Sequence, residues 1–151
     1  MKYKCSATIH KPLQEVTAKF IDTNNLKHWQ PGLQSYEHVS GQPGQPGAVS
    51  NFTFLMGKRK MVLTETILVN NLPDEFSVEF EGGSMKNIVR SYFKSIDENS
   101  TSYESDNEFD MKGAMKILGW IMPGLFKKQS MVYVNNFKNF VENGTSVLSP
   151  S

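Results

Sequence analysis

Tyr3, Cys5, Ala7 and Ile9 alternate with Lys2, Lys4, Ser6 and Thr8, the period-two signature of a strand with one wet face. In PLQEVTAKFID, from Pro12 onward, Leu13, Val16 and Phe20 then fall at helical spacing, and a proline suits the first turn of a helix. DTNNLKHW predicts a second short helical segment, with Asp22 or Thr23 as its cap. Residues 33–40 read as a second strand and the GQPGQPG after them as a loop. Five further strands are predicted over 49–56, 60–69, 75–81, 88–96 and 101–111. The turns between them, GK, NNLPD, GGSMKN and DENS, carry the Gly, Pro, Asn or Asp that fixed or positive φ demands. In the last strand Tyr103, Ser105, Asn107 and Phe109 face one way, and Glu104, Asp106, Glu108 and Asp110 form an opposite row expected in water.

Past Gly113 the period becomes helical, with Leu118, Met122, Phe126, Tyr133, Phe137, Phe140 and Val141 spaced for one apolar stripe. Pro123 is expected to kink this helix or restart it. Gly144 ends it, so residues 1–144 read as a single domain and residues 145–151 as a flexible tail.

A strand, two short helices, six more strands and a long terminal helix make an α+β chain. Its simplest packing bends a seven-stranded antiparallel sheet around the last helix. Such a sheet cannot close fully on one helix, and the concave face stands off far enough to leave a hollow. The segments IHKPLQEVTAKFID, HWQPGLQSYEHVSG with GAVS behind it, LTETI, LPDEF and NFKNFVE resemble the helix-grip, or START-like, superfamily. That superfamily includes the birch pollen allergen relatives and the bacterial polyketide cyclase and dehydrase group. The resemblance covers nearly the whole chain and implies a cavity; none of its segments is a catalytic motif.

Charge narrows the partners. Sixteen basic and fifteen acidic residues leave a net charge of +1, which supplies no global field for nucleic acid. The single cysteine, Cys5, lies in a strand pattern and permits no internal disulfide. The amino terminus lacks the apolar run of a secretory signal, so a cytoplasmic protein is expected, and the Asn-X-Ser/Thr triplets at Asn51, Asn99 and Asn143 carry no weight. The apolar window MKILGWIMPGLF is broken by Pro123 and Gly124 and is shorter than the ~20 residues of a spanning helix. His10, His28 and His38 have no metal-ligand spacing, and neither a nucleophile elbow nor a phosphate loop occurs. No metal or cofactor is expected, and the oligomeric state is not written in the sequence.

The candidate ligand-binding residues are the inward aromatic and aliphatic positions Phe52, Phe54, Leu63, Ile67, Phe76, Val78, Phe80, Phe93 and Tyr103, with Met122, Phe126, Tyr133 and Phe137 from the helix. Polar Glu65, Ser105 and Asn107 join them. Glu65 shares parity with Met61, Leu63, Ile67 and Val69, which puts it inside; the competing register puts Val62, Thr64, Thr66 and Leu68 inside and Glu65 in water. Edges and bulges that shift parity favour the second. A binding protein for a lipid, isoprenoid or polyketide-like molecule, for carriage or sequestration, is the leading reading. The enzyme alternative is a cyclase or dehydratase acting on a bound polyketide or aromatic, with Glu65 as acid or base and Asn107 or Tyr133 orienting the substrate. A regulator that binds a protein partner through its surface is a third. Lys58, Arg59 and Lys60 read as a solvated hairpin tip. GWIMPGLFKK is expected to be a kinked helix end lining the cavity mouth, with transient membrane-surface contact through Trp120, Ile121, Leu125, Lys127 and Lys128 as the other reading.

Overall fold

In the computed structural model, which describes residues 1–148, seven antiparallel strands form one sheet in the order β1-β7-β6-β5-β4-β3-β2. They are β1 (Lys2–Ile9), β2 (Leu33–Ser40), β3 (Val49–Met56), β4 (Arg59–Asn71), β5 (Glu75–Gly82), β6 (Met85–Asp97) and β7 (Ser100–Met111). Between β1 and β2 lie α1 (Leu13–Ile21), a 3-10 turn at Thr23–Asn25 and α2 (Leu26–Trp29); after β7 come α3 (Ala114–Ile121) and α4 (Pro123–Asn143). Asp22 caps the middle turn by accepting the Asn24 N–H at 3.0 Å. The α+β, helix-grip reading of the sequence holds. Strands β4 and β6 run further than their patterns suggest, because Gly57 and Gly83, at φ of 66° and 59°, close their hairpins in two residues.

The β2 corner explains its punctuation. Gly32, in the WQPG stretch, has φ of +80°, and a Cβ there would stand 2.6 Å from the Leu55 carbonyl oxygen. Only glycine lets the chain turn so close to β3. The GQPGQPG loop folds back on β4: Gly47 donates its N–H to the Ile67 carbonyl at 2.8 Å, and the Asn70 amide donates to the Gly44 carbonyl at 2.6 Å.

Helix α4 packs along β1 and reaches α1 and α2. Phe20, on α1, is the hub of a packed aromatic cluster, its ring 4.9 Å from Phe93, 5.4 Å from Phe137, 5.9 Å from Trp29 and 6.0 Å from Tyr103. This solid core lies toward the end of the sheet that carries the β4–β5 and β6–β7 turns. The opposite end carries the β3–β4 and β5–β6 turns and the passage from β7 into α3.

Of the two expectations for Pro123, a kink or a restart, the restart holds: Met122 leaves helical geometry at φ −127° and ψ 63°, and Pro123 opens α4. The apolar stripe is therefore broken, and Leu118 and Met122 do not share the buried face of Phe137 and Val141. The acidic row of β7 is laced with cations as well as water, with Lys4 3.3 Å from Glu104 and 3.5 Å from Asp106, and Arg90 3.2 Å from Glu108. Cross-strand pairing sets these contacts, and at the surface each contributes little. Of the expected tail, Val147 donates its N–H to the His28 carbonyl at 3.0 Å and Ser146 Oγ lies 2.8 Å from His28 Nδ1. The rest of the expected tail, 149–151, lies outside the described residues.

Candidate functional site: an apolar cavity with a buried carboxyl

Between the concave face of the sheet, α1 and α2, and the first half of α4 lies a cavity of about 440 Å³, within the range of small-molecule sites. Thirteen of the sixteen candidate residues line it: Phe52, Phe54, Leu63, Glu65, Ile67, Phe76, Val78, Phe80, Tyr103, Ser105, Asn107, Phe126 and Tyr133. Strand alternation brings eleven of them there, since every second side chain of β3 to β7 points to the concave face, and α4 supplies Phe126 and Tyr133. The other three do not line it. Phe93 and Phe137 are packed into the aromatic core, Phe93 stacked on Tyr103 at 4.8 Å. Met122, at the break between α3 and α4, is 48 % exposed.

Glu65 is inside. The register that favoured water is overturned by pairing: Ser50, Glu65 and Phe80 stand opposite one another across β3, β4 and β5, and the β4 bulge falls later, between Ile67 and Val69. Before that bulge, parity is unbroken from Leu63 to Ile67, so the carboxyl shares the face of two core aliphatics. Its residue is 9 % exposed. Burial alone pushes its pKa up to about 7, and among the described residues no donor or cation offsets it. Glu65 is thus a group that is half protonated near neutral pH.

The remaining polar groups sit on other walls. The Phe80 partner on β6 is Asn87, so Asn87 lies on the ladder row of Glu65, two strands away. Asn107 lies on the next row, opposite Val89, three strand steps from Glu65, or about 14 Å along the sheet. Its amide donates to Ser105 Oγ at 3.1 Å. Tyr103 is held neutral, its pKa raised by burial to about 12 with Ser91 and Ser105 beside its hydroxyl; burial also raises Tyr133. Ser50 Oγ donates to Tyr36 Oη at 3.0 Å. The cavity therefore offers an apolar middle, a titrating carboxyl on one side near the Ser50–Tyr36 hydroxyl pair, and neutral amides and hydroxyls on the β6–β7 side.

Sequence reasoning missed Asn87 and Ser91, although they share parity with Phe93. Starting that strand at 88 hid the run Met85, Asn87, Val89, Ser91, Phe93, all inward except for the packing of Phe93. It also missed Phe20, Leu26 and Trp29, which line the wall next to α4; their helical spacing is visible, but nothing in it says that the face meets a hollow. Met56, Met61 and Gln129 line the cavity and are exposed, so they mark a rim between the β3–β4 hairpin and α4. Among the described residues no cluster of His, Cys, Asp and Glu could hold a metal, and no helix is long and apolar enough to cross a membrane.

A curved seven-stranded sheet gripping a terminal helix over a hollow can be set beside solved structures. The Zhui aromatase/cyclase from Streptomyces sp. R1128 superposes with a TM-score of 0.76 at 10 % identity, over 97 % of this chain and 99 % of that one. This chain has the helix-grip, START-like fold. Ara h 8.0201 superposes at 0.74 with 17 % identity, covering 93 % of this chain and 97 % of the other. Norcoclaurine synthase from Thalictrum flavum, in complex with dopamine and hydroxybenzaldehyde, gives 0.71 at 14 % identity, covering 97 % and 88 %. No family model and no curated protein sequence matches the chain. At such identities the helix-grip likeness is one of backbone, and the chemistry must be read from the cavity's own side chains.

Proposed function

We propose that this helix-grip chain binds a small, mostly apolar molecule with one hydrogen-bonding group, for carriage or sequestration. The observation that carries the reading is the cavity of about 440 Å³, walled by aromatic and aliphatic side chains around a single carboxyl without a protein partner. Leaving such a carboxyl buried and unpaired costs stability; a ligand hydroxyl, amine or carbonyl that hydrogen-bonds to it recovers that cost. Cyclic or aromatic ligands suit a lining that includes the rings of Phe52, Phe76 and Phe80, and the Thalictrum helix-grip protein is in complex with two small aromatics. Native mass spectrometry of the purified protein is expected to find a bound apolar compound. A fluorescent apolar probe is expected to bind once that compound has been extracted. A protein that carries no compound and takes up no probe would sink the reading.

The pKa of Glu65 favours a second reading, in which the same carboxyl passes a proton to or from a bound polyketide or aromatic, with Asn107 or Tyr133 as orienting groups. A general acid or base works best with its pKa near the working pH. The two readings separate in one comparison: compounds extracted from the unaltered protein and from Glu65→Gln are weighed by mass spectrometry. Dehydration predicts compounds differing by the mass of one water, and cyclisation predicts isomers of equal mass that separate when chromatography precedes the mass measurement, whereas carriage predicts the same compound in different amounts.

A further inference from the structure

Helix α3 turns its apolar residues the wrong way for a core element. Its one buried residue is Gly119, where a Cβ would lie 2.6 Å from Met111 Cε and 3.1 Å from Met1 Cε. The helix thus rests its backbone on the end of the sheet at that glycine. Trp120 is left 85 % exposed, Ile121 66 % and Ile117 59 %, and Leu125 at the start of α4 is also exposed. Trp120 and Ile121 stand three and four positions after Ile117 on α3, so these three share one outward side, and Leu125, beyond the break at Met122, is exposed next to them in the chain. The expectation that GWIMPGLFKK lines the cavity mouth holds for Phe126, which lines it together with Met115, and is corrected for Trp120, Ile121 and Leu125, which face out. A patch of this kind, with a tryptophan at its centre, marks an interaction site.

Charge says what covers it. Residues 111–128 contain Lys112, Lys116, Lys127 and Lys128 and no acid; the β3–β4 tip, 55–61, contains Lys58, Arg59 and Lys60 and no acid. Both segments border the same cavity, through Met115 and Phe126 on one side and Met56 and Met61 on the other. These two segments hold seven of the chain's sixteen basic residues, which leaves nine basic against fifteen acidic elsewhere. The acids nearest this end, Glu81 and Asp110, stand beside Lys86, 2.9 Å from Glu81 and in register with Asp110. A chain of net charge +1 is thereby strongly polarised, with its cations collected around exposed apolar side chains.

We propose that this end of the molecule, α3 and the α3–α4 corner with the β3–β4 tip, docks on an anionic lipid surface and sets the cavity rim against it. Tryptophan and branched aliphatics between lysines match the headgroup boundary, where the rings and aliphatic chains sink and the ammonium groups meet lipid phosphates. A second copy of the chain fits poorly, because a two-fold pairing of this face would bring like charges together. Docking does not depend on a loaded cavity, so it can fail or hold apart from the ligand-binding reading.

The test uses the full chain and vesicles of phosphatidylcholine, with and without about a third phosphatidylserine. Flotation is expected to recover the protein with phosphatidylserine vesicles and to lose it as salt rises. Emission should shift to the blue on binding, since Trp120 is exposed whereas Trp29 is already buried. The double variant Trp120→Ser/Ile121→Ser, and separately Lys127→Glu/Lys128→Glu, should weaken vesicle binding on the order of tenfold or more. Both pairs lie at exposed positions outside the cavity, and unchanged circular dichroism and probe uptake check that the fold is intact. Absence of binding at low salt overturns the proposal, as does binding that neither variant weakens. Dimerisation abolished by Trp120→Ser, without vesicle binding, overturns it in favour of a second copy.

Discussion

The two ends of this molecule use their large apolar side chains in opposite ways. At the end of the β6–β7 turn, Phe20, Trp29, Phe93, Tyr103 and Phe137 interlock edge to face or stacked, with centroids 4.8 to 6.0 Å apart. At the end of the β3–β4 turn, methionines are interspersed with rings such as Phe54, Phe109 and Phe126: Met56, Met61, Met85 and Met115 line the cavity, while Met1 and Met111 lie under Gly119. Rings have few rotamers and hold a shape. Methionine has three rotatable bonds and a polarisable sulfur, and refills irregular space. One end is therefore built to hold its shape, and the other to refill space around the proposed ligand.

The largest expected effect breaks the rigid end. Phe137→Ala removes a fully buried ring, and denaturant unfolding should record a loss of about 3–5 kcal/mol; a loss under about 1 kcal/mol would mean that this cluster does not hold the fold. Next comes the carboxyl between the two ends. The Glu65 proton is held more tightly in the folded chain, with a pKa of about 7, than in the unfolded one. Its favourable contribution is therefore complete below the unfolded pKa and is lost as pH rises through about 7. Glu65→Gln should gain stability relative to the unaltered protein by about 3 kcal/mol between about pH 4 and pH 8. Parallel stability curves for the two proteins would contradict a desolvated carboxyl.

Smaller effects test backbone against side chain as the neighbour of a glycine. Gly32→Ala sets a Cβ against the Leu55 carbonyl at positive φ, and a loss of about 2 kcal/mol is expected by the same unfolding measurement. Gly119→Ala meets only the flexible ends of Met111 and Met1. Those ends yield, and the gain in helix propensity offsets the crowding, so thermal unfolding should shift by the equivalent of less than about 1 kcal/mol. A large loss there would show the methionine end to be as tightly fitted as the aromatic one.

Much of this was legible in the order of residues. Period two with the turn signals located the strands and put eleven of the sixteen candidate residues on the cavity wall, Phe126 and Tyr133 joining them from the helical stripe, because in a strand the direction of a side chain follows from its parity alone. The turns were legible for the same local reason, since glycine and proline act through their own φ. Glu65 was not, because whether Leu63 and Ile67 or their neighbours face inward depends on where β4 bulges, and Ser50 and Phe80 on the flanking strands fix that. Leu118, Trp120 and Ile121 were not either. The helical spacing of Leu118 continues through Met122 toward Phe126 and Tyr133, and periodicity reports that an apolar side exists, not whether anything packs against it. Sequence determined the elements and their faces, which arise within a few residues; tertiary structure decided register, the hollow and the uncovered helix, because each depends on segments far apart in the chain.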